Sequence, residues 1–469
     1  MRAWEAAVLW SWVFTGLRFG SVLVVLPLLS RLPESDFGFY YLLMSIVAVA
    51  PLIDLGFAFS VERGVGYAMA GATELRADGL PPGANSKTPN FGLFWKLVFT
   101  ARVFYRLLTL LLLVVLGAVG TYIVSQSAWE TSNPTLAWTA WGVALLNCAL
   151  EVYSSWWNVV LRGMNRVVTG MRILCLGYSA KLLLSCVLLM AGFGVLSVFV
   201  AGFLSSALIR TLSRRQVILS SPPAPQARPA KSEMISFLRI LWPNSWRIGL
   251  QWITAYVAAL LLMLICESRF GLAGAGEYGF SLNVAMAIQA IAVSWVYVKW
   301  PVIVQLRSRN ELGEIRKLMW GRVWLETLTF VGLALVAFAV IPLVIKVGLI
   351  KKDVLPSPWF IILVANVFLE AQMAIWSTLL TTENKVPTLW PVAITHGCTL
   401  LLVFILLRTT QVGIGALALA PLVTGSLFNY WYWARRGPRM IGTTWARFMF
   451  QSPQAEAKNA GADSSPSVA

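Results

Sequence analysis

Runs of apolar residues long enough to cross a bilayer, about 20 residues each, recur along the whole chain and are parted by short polar gaps. They centre on residues 8–30, 37–60, 99–125, 136–161, 171–191 and 195–211, and then on 247–267, 276–303, 324–347, 357–380, 389–407 and 413–433. The pattern predicts an all-α, polytopic membrane protein of about twelve spanning helices. The first run, Val8 to Leu29, is longer than the apolar stretch of a secretory signal, and no A-x-A site follows it. It therefore predicts a retained first helix.

The second half of the chain echoes the first. Ser30 and Arg31 fall on Ser268 and Arg269, Gly38 on Gly276 and Tyr40 on Tyr278, all at one displacement. In the fourth helix of each half a second, smaller displacement places Asn147 on Asn366, Leu150 on Leu369, Glu151 on Glu370, Trp157 on Trp376, Leu161 on Leu380, Asn165 on Asn384, Arg166 on Lys385 and Val167 on Val386. A longer loop between helices two and three of the first half, Gly71 to Asn90, accounts for the change of displacement. Six helices per half is an even number, so the two halves share one orientation, a parallel repeat about an axis along the membrane normal. The expected organisation is a six-helix lobe over 1–211, a cytoplasmic linker over 212–245, a second six-helix lobe over 246–434, and a basic, then disordered, cytoplasmic tail over 435–469.

Composition supports the membrane and removes other classes. Hydrophobic residues make up 58% of the chain and charged residues 12%, with a mean hydropathy of +0.73. One or two soluble cores do not bury that much apolar surface. The excess of 37 Lys and Arg over 20 Asp and Glu lies in gaps too short for a nucleic-acid module. With the N-terminus cytoplasmic, roughly 28 of these cations fall in or beside cytoplasmic segments and about six outside, the bias expected of a multi-pass protein with both termini in the cytoplasm. The basic segment ARRGPRMIGTTWARFMF after Trp433 is expected to lie on the anionic inner leaflet. The five cysteines have no CxxC spacing, and His396 is the single histidine, read as a hydrogen-bonded core residue. A zinc site, a disulfide framework and a Ser/His/Asp triad are thereby excluded.

The passage SRLPESDFGFYYLLMSIVAVAPLIDLGF, the loop LRGMNRV and the second-half echo ESRFGLAGAGEYGFSLNVA resemble the polysaccharide transporter branch of the multidrug/oligosaccharidyl-lipid/polysaccharide exporter superfamily. The likeness spans residues 8–434. It implies two six-helix lobes arranged as a V, alternating access, and a cargo of O-antigen or exopolysaccharide units on an undecaprenyl diphosphate carrier. It also implies a bacterial cytoplasmic membrane and polymerase or assembly proteins as partners. Related carriers of the peptidoglycan precursor have fourteen helices, which tilts the cargo towards O-antigen or exopolysaccharide.

A charge inside a membrane helix costs about 2.5 to 3.5 kcal/mol on the translocon scale, so each one needs a reason. Arg18, Lys181, Arg247 and Lys299 are candidates for binding a diphosphate-linked sugar, Arg being suited to bidentate phosphate contacts. The other readings are carboxylate pairing for Arg18 and snorkelling to an interface for the rest. Asp54, Glu151 and Glu370 are candidates for coupling to H⁺ or Na⁺; otherwise they offset the cations or brace the helices through neighbouring Asn. Arg31 and Arg269 form a gate with Glu34, Asp36 or Glu267, or anchor the interface. No nucleotide-binding motif stands in a soluble domain and no cofactor is indicated, so energy comes from an ion gradient or from consumption of product. Three further readings compete: a multidrug or organic-cation antiporter, whose cavity should be acidic or aromatic; a polysaccharide polymerase or ligase, which the short outward loops disfavour; and a non-transporting scaffold of a polysaccharide assembly complex, which the intramembrane charges disfavour.

Overall fold

The computed structural model describes residues 3–29, 31–82, 88–225, 229–346 and 354–451. Among them every regular element is helical. The helices are α1 (Ala3–Leu29), α2 (Glu34–Val47), α3 (Phe57–Met69), α4 (Phe91–Ser127), α5 (Pro134–Gly163), α6 (Val167–Met190) and α7 (Leu196–Leu219). There follow α8 (Lys231–Gly271) and α9 (Gly274–Ser308), then α10 (Leu312–Lys346), α11 (Trp359–Thr381), α12 (Leu389–Thr409), α13 (Ala416–Leu427), α14 (Asn429–Met440) and α15 (Trp445–Phe450). Among the described residues ten helices are long and apolar enough to span a membrane, or eleven if α13 and α14, bent by 42°, form one span. Beside that tally stands α1, whose 27 residues also exceed the length a span needs.

The chain divides into two compact units, unit 1 of Met1–Ala77 with Pro81–Gly249, and unit 2 of Asp78–Leu80 with Leu250–Ala469. The junction falls inside α8, so the basic segment after α7 continues as helix from Lys231 onward. Three residues of the first long loop belong to unit 2. There Gly79 N donates to Glu383 O at 3.0 Å, and Asn384 Nδ2 donates to Gly79 O at 2.9 Å. The core of unit 1 gathers Leu43, Val124, Ala140, Trp141 and Phe199; that of unit 2 gathers Phe330, Phe360, Leu363, Val367, Val403 and Leu417.

Helix two is not continuous, as its apolar run implied. After α2 a short 3₁₀ turn, Ala50–Asp54, ends in two left-handed residues, Leu55 (φ 47°) and Gly56 (φ 71°), before α3 resumes. Leu in that conformation is costly, and the crossing of α8 fixes it there. A Cβ on Gly249 of α8 would lie 2.5 Å from Leu55 Cα, and one on Gly56 would lie 2.8 Å from Ile248 Cβ. The two backbones touch only because both positions are glycine. A hydrogen bond of 2.8 Å from Ser245 Oγ to Ser60 Oγ closes the same crossing.

The repeat-related asparagines have a shared backbone role. Asn165 and Asn384 end α5 and α11 in the left-handed conformation, at φ 60° and 58°. Asparagine is the side chain other than glycine that enters this region most readily. At α5 the motif is completed by Arg166 N donating to Leu161 O at 2.8 Å.

The last helix of the basic segment, α15, is packed onto its neighbours. Phe448 is 0% exposed, edge-on to the ring of Trp376 at 4.9 Å and 84°, and Trp324 Nε1 donates to Met449 O at 3.1 Å. Two aromatic side chains from α10 and α11 thus hold α15 against unit 2. The tail beyond residue 451 lies outside the described residues.

Candidate functional site

Unit 1 encloses a cavity of about 420 Å³ between the 3₁₀ turn, α4, α5, α6 and α7. Asp54, Glu151 and Lys181 all line it, so three of the charges singled out in the sequence meet in one place. Tyr105, Tyr178, Arg162 and a set of small polar side chains, among them Ser155, Asn158 and Ser205, complete the wall.

Each carboxylate there has donors. Asp54 Oδ1 accepts from Tyr105 Oη at 2.5 Å, and its Oδ2 accepts from Ala58 N at 3.0 Å. The break in helix two makes the second bond possible, because it leaves the first amides of α3 without intrahelical partners. Glu151 Oε1 accepts from Asn147 Nδ2 at 3.2 Å and from Ser206 Oγ at 3.1 Å. Ser206 Oγ also lies 2.9 Å from Asn147 Oδ1, so the triad ties α5 to α7. Lys181 stands across the same cavity, half-buried. Arg162 is tied to Glu62 of α3, with Nη2 and Nε donating to Oε2 at 2.8 and 3.1 Å.

The repeat recurs in unit 2 with one exchange. Asn366 Nδ2 donates to Glu370 Oε1 at 3.1 Å, as Asn147 does to Glu151. The displacement that relates Glu151 to Glu370 takes Ser206 to Gly425, which brings no hydroxyl. The ring of Tyr430 occupies the space that a Cβ on Gly425 would need, and Tyr430 Oη donates to Asn366 Oδ1 at 2.6 Å. A tyrosine from α14 therefore supplies what a serine from α7 supplies in unit 1.

The remaining candidates are spread out. Arg18 lies on α1 with an exposed side chain, and its charge acts on Tyr178 of the cavity wall. Arg247 is half-buried on α8, its guanidinium 5.6 Å from the ring centroid of Trp246. Lys299 is half-buried in unit 2, at the turn before Trp300, where it faces the like charge of Arg322. Arg31 and Arg269 are exposed. Of the partners expected for that gate, Asp36 accepts from Ser132 N at 2.9 Å and from Ser132 Oγ at 2.5 Å, capping the turn before α5; the side chain of Glu34 lies outside the described residues. His396 Nδ1 is buried without a hydrogen-bond partner among the described residues, where a hydrogen-bonded ring is expected.

Two features escaped the sequence reading. One is an ion pair at matching helices of the two units with its polarity exchanged: Glu62 of α3 with Arg162 of α5, and Arg307 of α9 with Glu383 just after α11. The other is Glu326 of α10, 0% exposed, a lone carboxylate in an apolar run that the criterion applied to Asp54 would have found.

No family model and no curated protein matches this sequence. Solved structures do match it in fold. An outward-facing multidrug resistance MATE family transporter of the MOP superfamily superposes with a TM-score of 0.69 at 13% identity, over 94% of this chain and 95% of that one. A MOP superfamily transporter from Pyrococcus furiosus, whose binding pocket is described as of reversed polarity suggesting a different function, gives 0.71 at 12% identity over 94% and 96%. A MATE structure in complex with MaD3S gives 0.70 at 13% identity over 94% and 97%. The chain has the MATE fold. At these identities the MATE likeness assigns architecture, and the chemistry of the cargo has to be argued from the site.

Proposed function

We propose that the chain is a secondary transporter that carries an amphiphilic cargo across a bilayer by alternating access. The observation that carries this reading is the MATE fold over 94% of the chain, joined to charged side chains retained inside apolar helices. Two cargoes have specific support.

Export of organic cations is supported by Asp54 and Glu151 beside Tyr105 and Tyr178 in the unit 1 cavity, since carboxylates and aromatic faces both attract cations. Arg162, which also lines this cavity, is tied to Glu62. The described function of a neighbour in fold, multidrug resistance, lies on this side. Flipping of an undecaprenyl-diphosphate-linked oligosaccharide at a bacterial cytoplasmic membrane is supported by the sequence resemblance and by Lys181. That cation shares the cavity with hydroxyls and amides suited to sugar hydroxyls. Arg18, Arg247 and Lys299 would be further contacts for the diphosphate on this reading, Arg31 and Arg269 its gate, and Asp54, Glu151 and Glu370 the sites of ion coupling.

Quenching of tryptophan fluorescence in the purified, full-length chain separates the two. With tetraphenylphosphonium as probe, Asp54→Asn weakens binding on the organic-cation reading and Lys181→Ala does not. With a diphosphate-linked glycan as probe, Lys181→Ala weakens binding at least tenfold on the flippase reading. Absence of binding by either probe removes both.

A further inference from the structure

Among the carboxylates of the membrane helices, Glu326 has the least satisfied environment. It is fully buried on α10, inside unit 2 and remote in sequence from every site residue named so far. Its Oε2 accepts from Gln372 Nε2 of α11 at 2.5 Å and from Thr327 Oγ1 at 3.3 Å. Its Oε1 is buried and meets no hydrogen-bond donor among the described residues. No oxygen of Asp54, Glu151 or Glu370 is both buried and without a hydrogen-bond partner among the described residues.

The charged and titratable groups around Glu326 are otherwise engaged. On its own helix, Arg322 sits one turn earlier and donates Nη1 to the carbonyl of Trp295 at 2.7 Å. From α9, Tyr297 interacts electrostatically with Glu326 and is hydrogen-bonded to Thr378 of α11. Lys299 of α9 is set against Arg322. From α15, Arg447 acts on Arg316, more than two turns before Glu326. The groups hydrogen-bonded to the carboxylate itself are therefore a neutral amide and a neutral hydroxyl.

A buried carboxylate with one bare oxygen and only neutral donors is an uncompensated charge, which costs several kcal/mol unless something neutralises it. We propose that Glu326 is a binding site for a monovalent cation, a proton or a sodium ion, taken up at Oε1. For a proton, an O–H bond forms at Oε1, the proton comes from water, and the carboxylate becomes the neutral acid. For sodium, Oε1 is the protein oxygen that meets the ion. The site does not depend on which cargo is carried, and a part for it in ion coupling, beside Asp54, Glu151 and Glu370, rests on the transporter reading.

Infrared difference spectroscopy on the full chain in lipid nanodiscs tests the site without any transport readout. Bound as a proton, the cation gives a carboxylic-acid carbonyl band that shifts in deuterium oxide. Bound as sodium, it gives a carboxylate band that moves when sodium replaces choline at constant ionic strength. Either band is lost in Glu326→Gln, displaced in Glu326→Asp and kept in Glu314→Gln, an exposed carboxylate of the same helix. Glu326→Asp keeps the test open should Glu326→Gln not accumulate, since it retains the acid. Retention of every acid and sodium-sensitive band at full intensity in Glu326→Gln, or bands unmoved in Glu326→Asp, overturns the proposal. Failure of both cargoes to bind or move, with these bands behaving as expected, would strike the transporter reading and leave the cation site standing.

Discussion

Tyr430 donates its hydroxyl to Asn366 Oδ1 at 2.6 Å, across the gap left by Gly425, and so rebuilds in unit 2 the link that Ser206 makes to Asn147 in unit 1. An Asn and a Glu one turn apart thus dock the fourth helix onto the end of each unit, by different side chains. The duplication of a link whose donors differ points to a mechanical requirement, the bracing of α5 and α11.

Tyr430→Phe leaves Asn366 Oδ1 without that donor and should lower thermal stability by about 1 kcal/mol. Gly425→Ser alone overpacks against the Tyr430 ring and should cost about 1 to 3 kcal/mol. The double variant Gly425→Ser/Tyr430→Ala carries the hydroxyl where unit 1 has it, and it should be more stable than Gly425→Ala/Tyr430→Ala, which relieves the same overlap without a hydroxyl. Melting curves in detergent read all four variants; equal stability of the two doubles would mean that the serine does not stand in for the tyrosine.

Gly249→Val should prevent accumulation of folded protein. Its Cβ would meet backbone, Leu55 Cα at 2.5 Å, and a backbone held in a left-handed pair has little room to give. Gel filtration of a fluorescent fusion checks this, with Gly142→Val on α5, where a Cβ meets nothing within 4 Å, as the control that stays monodisperse.

Breaking the Glu62–Arg162 pair by Glu62→Gln should destabilise the protein by about 3 kcal/mol, because Arg162 loses the partner that compensates it. The double exchange Glu62→Arg/Arg162→Glu should recover most of that loss, since unit 2 already carries the pair in the reversed sense, Arg307 with Glu383. Denaturation midpoints of the single and double variants settle it.

Phe448→Ala removes the ring that α15 buries against Trp376 and should cost about 3 kcal/mol. Trp376 should then become accessible to an aqueous quencher. Were α15 held by the lipid surface instead, removal of Phe448 would leave Trp376 fluorescence unchanged and weaken membrane association of the tail.

Much of the architecture is legible in the sequence because spanning helices have to satisfy their backbone within an apolar run of set length. The repeat shows through at Asn147, Glu151, Asn165 and their counterparts because those residues make the same bonds or backbone turn in both units. The break in helix two does not show, since it depends on Leu55 entering a left-handed turn against Gly249, which stands five helices later in the chain. The charged residues were legible as exceptions but not as partners. That Asp54 would meet Tyr105, and that Asp36 would cap the turn at Ser132, follows from packing between helices and not from any local pattern.

Arg18→Ala tests whether the cation beside Tyr178 belongs to the transport path. On the flippase reading the variant reaches the membrane in normal amount and loses at least tenfold in surface polysaccharide. Full surface polysaccharide in that variant removes Arg18 from the path.

Flux through proteoliposomes containing the full-length chain is the most direct test of the central claim. Vesicles are loaded in turn with a fluorescent organic cation and with a fluorescent undecaprenyl-diphosphate-linked oligosaccharide, with and without proton and sodium gradients. The account predicts that one of the two crosses the bilayer well above the rate of protein-free vesicles, with loss of that excess in the double variant Asp54→Asn/Lys181→Ala. Rates indistinguishable from protein-free vesicles for both cargoes under every gradient, with the protein folded and inserted, would contradict it.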